Sequence, residues 1–370
     1  MKSDLYITNI EVIPIEVPRV GAFRLHRGET PPVSPFTIVR VHTDAGIVGY
    51  GEGNSTVLGM HVLAERNLLD SVIGRNPFDL TGIHARMDEV EMMRNERLGH
   101  WNIVRAAIDM ALWDIQGKTL DVPVHALLGG AQRKWVDVVK NVGVSDPSAS
   151  AQRASEIVAE GYRTIKIRVG ADSRTDLLRL RAIREAVGPE IGIRVDANQA
   201  WNANAAIAAI DSFAEIGLEA VESPCKFWDI RSAAEVVSRV SVPIISDEGF
   251  WTLGDTQNVL SGRAADVLHL YLGKCGGITP SVKIAALAEA FDAHVSPGER
   301  VPLGIAEAAH LHFAASLPSL RFPCALAYDL NEDDLLVTSI PPRNGQMEVP
   351  TGAGLGIEVD EERLEYYRVQ

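Results

Sequence analysis

The chain has 370 residues, 46% of them hydrophobic, enough to bury a large core and to favour a large domain with a smaller one beside it. A net charge of −14 excludes nucleic acid and anionic membrane as partners, because nothing in such a chain releases counterions from phosphates. The chain lacks the run of roughly eighteen apolar residues that a membrane helix needs, and Met1–Tyr6 lacks the basic-then-apolar build of a signal peptide, so a soluble cytoplasmic protein is expected.

Residues 6–18 and 36–50 alternate or run apolar, with Asp44-Ala45-Gly46 as a tight turn, and read as an antiparallel meander. Between them, Gly21–Pro35 carries Arg24, His26, Arg27 and three prolines, a long polar loop. Helical spacing follows at 57–74, 80–97 and 101–119. From Trp135 the pattern changes to strand, helix, strand. Val136–Val144 reads as a first strand, Asp146 as the cap of a helix ending near Gly161, Ile165–Val169 as a second strand, and Ser173 as the opening of a helix that stops at Gly188-Pro189. The alternation continues through Ala293–Ser296. The candidate strand ends Arg168, Asp196, Glu222, Asp247 and Tyr271 are 28, 26, 25 and 24 residues apart, which favours a closed parallel barrel over an open doubly wound sheet. A (β/α)7β TIM-like barrel over residues 126–344 is therefore expected, with an α+β capping domain over 1–125. Leu364–Val369 returns the chain to that cap, which takes back 345–370.

Each strand opens onto one mouth in such a barrel, so ionisable residues at strand ends meet there. Lys166 and Arg168 lie two apart and face inward while Ile165, Ile167 and Val169 face the helices. Asp196, Glu222 and Asp247 end the next strands; taken singly each has a bland alternative as a helix cap, but together they repel unless a cation sits among them. The natural guest is a hard, oxygen-seeking ion, Mg²⁺. Of the neighbours Asp247 and Glu248, Asp247 is the preferred ligand, because alternation lets only one face the ion. Asn198 supports a ligand carboxylate or caps the following helix. Cys225, Cys275 and Cys324, odd in number and without CxxC spacing, form neither a disulfide framework nor a zinc site.

Lys-x-Arg at 166–168, Arg-Val-Asp-Ala-Asn-Gln-Ala-Trp from Arg194, Val-Glu-Ser-Pro from Val221, Ile-Ser-Asp-Glu from Ile245 and Lys-Cys-Gly-Gly from Lys274 resemble the enolase superfamily in its mandelate racemase and muconate-lactonizing branch. Ala106–Asp114 and Pro123–Gly130 are similar to that family's junction between cap and barrel. The resemblance implies a (β/α)7β barrel with an α+β cap, one Mg²⁺ on Asp196, Glu222 and Asp247, and abstraction of a proton α to a carboxylate to give a stabilised enediolate.

The chain departs from the family in two places. Where the family commonly has Lys-x-Lys this chain has Arg168, a poor base, so Lys166 or Arg168 is the base. Where relatives place Lys or Asp on the sixth strand this chain has Tyr271, a general acid or an aromatic plug. His294 is expected in the core, leaving Glu299 or Arg300 at the mouth. The expected reaction is β-elimination of water by an acid-sugar or hydroxy-acid dehydratase, with a racemase or epimerase second and a catalytically silent metal-binding relative third. Glu248, Lys274, Asn198, Arg24, His26 and Glu299 are the expected supporting or substrate-binding groups, with specificity in Gly21–Asn54. A small carboxylate substrate and a homo-oligomer are expected, with neither nucleic acid nor membrane as partner.

Overall fold

The structure, a computed structural model, describes residues 5–21, 31–55, 57, 59–60, 66–93, 99–143 and 145–369, and the backbone alone of 24–25 and 28–29. The N-terminal part is a three-stranded antiparallel sheet in which β4 (Val33–Thr43) lies between β1 (Ile7–Pro18) and β5 (Val48–Gly53). Residues 24–25 and 28–29 form a small antiparallel pair, β2 and β3, so the expected loop is partly regular. His26 and Arg27 lie outside the described residues, as does the side chain of Arg24.

One face of β5 carries glycine at every second position. A Cβ on Gly51 would stand 1.7 Å from the Ala107 carbonyl oxygen and one on Gly49 2.1 Å from that of Ala111. These absences let the helix Asn102–Leu120 lie directly on the strand, with Ala106, Ala107 and Ala111 fully buried. On the opposite face Glu52 accepts hydrogen bonds from the backbone of Leu303 (2.7 Å) and Ala306 (2.9 Å), at the start of the helix Gly304–Ser316. Asn102 donates to the carbonyls of Lys274 and Trp251 at 2.7 and 2.9 Å. Cap and barrel are thus tied by polar contacts as well as by a shared apolar cluster including Ile13, Phe36, Met110 and Phe250.

The C-terminal part is a seven-stranded parallel sheet in sequential order: β7 (Lys140–Val142), β8 (Thr164–Arg168), β9 (Gly192–Asp196), β10 (Ala220–Glu222), β11 (Ile244–Ser246), β12 (Val267–Leu270) and β13 (His294–Pro297). The segment around Cys324 joins its two edges. Cys324 bridges Val138 and Ala325 bridges Gly298, both in parallel sense, with Val139 donating to Cys324 and Ala325 to Pro297, each at 2.9 Å. Seven strand-helix units and a closing eighth strand make the TIM-like (β/α)7β architecture read from the sequence. β-branched and other aliphatic residues such as Ile165, Ile167, Ile193 and Val195 pack outward onto the helices.

Two expectations need correction. Val136–Val144 is not one strand: β6 (Trp135–Asp137) pairs antiparallel with β14 (Gln346–Glu348), and only β7 enters the barrel, because Val138 and Val139 turn to bond Gly345 and Cys324. His294 is not core. It is half-buried at the start of β13, 3.4 Å from Arg321, while His84, His269, His310 and His312 are the buried histidines among the described residues. After the barrel the chain returns to β1, where Val369 donates to the Pro14 carbonyl at 2.9 Å. Among the described residues no helix is long and apolar enough to cross a membrane.

Candidate active site

The helices that follow the strands bring their own caps. Asp172, Asn202 and Asp229 accept from the third residue beyond each, and Thr252 with Asp255 forms a reciprocal capping box. Asp196, Glu222 and Asp247 are therefore free of that role. Asn198 is likewise no cap: it has left-handed φ of 44°, which asparagine tolerates, and its side chain accepts from Arg168.

The strand register sets the carboxylates side by side, with Asp196 opposite both Arg168 and Glu222. Lys166 Nζ stands between two of them, 2.6 Å from Glu222 Oε1 and 3.1 Å from Asp196 Oδ2. Arg168 Nη1 reaches Asp196 Oδ2 at 2.7 Å. Across the mouth Lys274 Nζ meets Asp247 Oδ1 at 3.0 Å and also the Asp247 carbonyl, and lies 4.1 Å over the ring of Phe250. The Tyr271 hydroxyl donates to Asp247 Oδ2 at 3.3 Å. Glu248 accepts from Ser223 Oγ at 2.7 Å.

Burial works against every charge here, and the neighbours decide the outcome. For Asp196, Lys166 and Arg168 outweigh burial and lower its pKa; for Asp247, Lys274 and His269 do so, down to about 2. Glu222 goes the other way: burial, with Asp196 and Asp247 close by, lifts it to about 7 despite Lys166. Lys166 is held above its ordinary value because Asp196 and Glu222 overcome its burial. Burial and Asp247 raise Tyr271 well above the ordinary phenol, so it is a proton donor at neutral pH.

These groups open into a cavity of about 490 Å³ lined by Lys166, Arg168, Asp196, Asn198, Asp247, Glu248, Tyr271, Lys274 and Glu299. Glu222 is buried and not part of that lining, which it meets through Lys166. Among the lining residues the sequence does not single out are the polar Arg19, Asn141 and His269. His269, two before Tyr271 on the same strand face, was legible from alternation. It is buried, with its ring 4.6 Å edge-on from Tyr271; Nδ1 pairs with the Ser296 carbonyl at 2.9 Å, and burial holds its pKa near 3. Arg19 and Asn141 give no such signal, since only the tertiary fold turns them to the mouth.

Among the described residues no three carboxylate, histidine or cysteine side chains stand ready as a metal cage. Ammonium groups hold the carboxylates in this state. The donor set nevertheless suits a hard divalent cation, for Glu222 Oε2 is buried with no hydrogen-bond partner among the described residues, beside two further carboxylates.

The family model described as "Mandelate racemase / muconate lactonizing enzyme, N-terminal domain" matches residues 12–129, and "Enolase C-terminal domain-like" matches 149–363. The chain is 32% identical to N-succinyl-L-Arg/Lys racemase of Bacillus cereus and 32% to muconate cycloisomerase 1 of Rhodococcus opacus, each alignment covering 97% of both chains. The solved B. cereus N-succinyl Arg/Lys racemase superposes with a TM-score of 0.90 at 31% identity, over 99% of this chain and 98% of that one. A dipeptide epimerase from Enterococcus faecalis V583, complexed with Mg and L-Leu-L-Tyr, gives 0.87 at 30%, over 95% and 99%. With both halves of its fold matched, the chain belongs to the mandelate racemase and muconate-lactonizing branch of the enolase superfamily and is an enzyme of the isomerase or lyase kind.

Proposed function

We propose that this chain is a Mg²⁺-dependent racemase or epimerase, which removes the proton α to a substrate carboxylate and returns one to the opposite face. The observation that carries the reading is the placement of proton-transfer groups on opposed walls. Lys166 projects from β8, the second of eight barrel positions, and Tyr271 stands at the end of β12, the sixth, with the carboxylate row between them. A syn elimination can proceed with groups on one side, whereas inversion needs them on both.

Asp196, Glu222 and Asp247 would hold the cation, which when bound supplies Lewis-acid stabilisation of charge developing on the substrate carboxylate. Lys166, an ammonium held by Asp196 and Glu222 in this state, would take the α-proton as free amine once those carboxylates turn to the cation, and Arg168 steadies the negative charge that spreads to the carboxylate. Tyr271, kept protonated by burial, delivers a proton from the far wall. Lys274 positions Asp247 through its side chain and carbonyl. Racemase and epimerase names among the relatives support the same reading.

Dehydration is the second reading, because a protonated Tyr271 can equally protonate a departing hydroxide. The test is incubation with Mg²⁺ in D₂O of a panel of N-acylated amino acids, dipeptides, acid sugars and hydroxyproline-type acids. Deuterium at the α-position with loss of optical activity supports inversion, whereas loss of water supports elimination. Failure of every compound to exchange its α-proton would overturn both.

A further inference from the structure

Two guanidinium groups enter the cavity from different parts of the fold. Arg19 follows the last residue of β1 in the cap, is half-buried, and is steadied by donation from Nε to Ser34 Oγ at 2.6 Å. Its backbone bridges Asn331, beyond the barrel. Arg300 follows β13 by three residues and lines the same cavity. Among the described residues neither guanidinium has a carboxylate partner within ion-pair distance. Glu299, next in sequence, turns instead to the Arg300 backbone amide (2.9 Å) and toward His310 (3.8 Å).

Like charges sharing a partly enclosed space repel, and here the repulsion is felt: burial first, then the Arg300 charge, lowers the pKa of Arg19. The same Arg300 charge reaches Tyr271, so the pair is continuous with the reacting end of the cavity. Two guanidiniums without a carboxylate partner among the described residues line one cavity whose carboxylate row is already met by its own lysines, an arrangement that suits an anion.

We infer that Arg19 and Arg300 together bind a second anionic group of the substrate, so that the substrate class is a carboxylate bearing a further carboxylate or comparable anion at its distal end. This rests on the proposed proton transfer for which end reacts, but binding tests it separately. A planar guanidinium meets a carboxylate with two parallel hydrogen bonds, and a hydrogen bond to a charged group is worth about 1.5–3 kcal/mol, or roughly 10- to 150-fold in affinity.

The experiment is calorimetric titration of the Mg²⁺-loaded enzyme with a series of straight-chain α,ω-dicarboxylates, succinate to suberate, and with monocarboxylates of equal length. One dicarboxylate length should bind at least tenfold more tightly than its monocarboxylate, and Arg19→Gln or Arg300→Gln should each erase that advantage while leaving monocarboxylate affinity unchanged. Arg300 is exposed, so its variant folds, and Arg19→Lys keeps the charge should Arg19→Gln melt early. Equal binding of di- and monocarboxylates by the wild type, or an advantage that survives both variants, overturns the inference. If the advantage holds but no compound exchanges its α-proton, the anion corner stands and the reaction assignment falls.

Discussion

Lys166 Nζ lies 2.6 Å from Glu222 Oε1, with side-chain exposures of 6% and 1%. In this arrangement the ammonium compensates a carboxylate that burial drives toward neutrality, and the same nitrogen is the base proposed for the reaction. Removing one partner of such a pair strands the other, at a cost of about 3–5 kcal/mol. Lys166→Ala should therefore melt early without metal and gain more from Mg²⁺ than the wild type does. Its α-proton exchange should fall by roughly 10²–10⁴. Exchange at the wild-type rate would reduce Lys166 to a carboxylate clamp.

Asp196→Asn and Glu222→Gln should each abolish Mg²⁺ binding, read by titration calorimetry, and with it activity, while circular dichroism shows the fold retained. Each removes one of three charges that suit a hard cation. Unchanged metal affinity in either variant would falsify the ligand assignment.

Tyr271→Phe separates the two walls. Lys166 still removes and exchanges the α-proton on its own side, so deuterium should enter one enantiomer with little inversion, the inversion rate dropping by about 10²–10⁴. Arg168→Lys should keep exchange measurable, because a cation still faces the developing charge. The measurement is deuterium incorporation beside optical rotation; inversion undiminished in Tyr271→Phe would make Tyr271 a wall of the cavity only.

Glu52 ties cap to barrel through two backbone amides, yet burial lifts its pKa to about 8 from an ordinary 4.5. Glu307, buried with neither carboxylate oxygen hydrogen-bonded among the described residues, is also held well above the ordinary carboxyl, by burial and then Glu52. A raised folded pKa means the native state binds the extra proton, so the stabilisation is full below about pH 4.5 and is lost as pH rises through 8. For Glu52 alone the loss is on the order of 5 kcal/mol. Melting temperatures between pH 5 and 9 should fall with pH in the wild type and fall less in Glu52→Gln. Parallel curves would show that Glu52 does not carry the dependence.

Gly51→Ala places a methyl 1.7 Å from the Ala107 carbonyl, backbone against backbone, where no rotamer gives relief. The cap helix must lift from the sheet, costing about 1–3 kcal/mol or more. The loss should show as a lowered denaturant midpoint. Gly46→Ala, with open space around its Cβ but φ of +75°, should lose only the smaller cost of left-handed backbone.

Much of this was legible in the chain itself. The strands ending in Arg168, Asp196, Glu222, Asp247 and Tyr271 showed in the recurrence of short apolar runs closed by polar residues, because a parallel barrel buries both strand faces and gathers its ionisable groups toward the mouth. Alternation likewise turned Lys166 and Arg168 inward. Tertiary structure alone decided what meets what. Closure through Cys324 and Ala325 rests on isolated bridges with no strand-length signal, and splitting the first strand at Val138 follows from those same bonds. The assignment of helix caps to Asp172, Asn202 and Asp229 depends on backbone angles that composition does not specify. The opposition of Lys166 to Tyr271, and the meeting of Arg19 and Arg300 in one cavity across 281 residues, exist only once the sheet closes, because residues distant along the chain become neighbours through ring geometry and not through any local pattern.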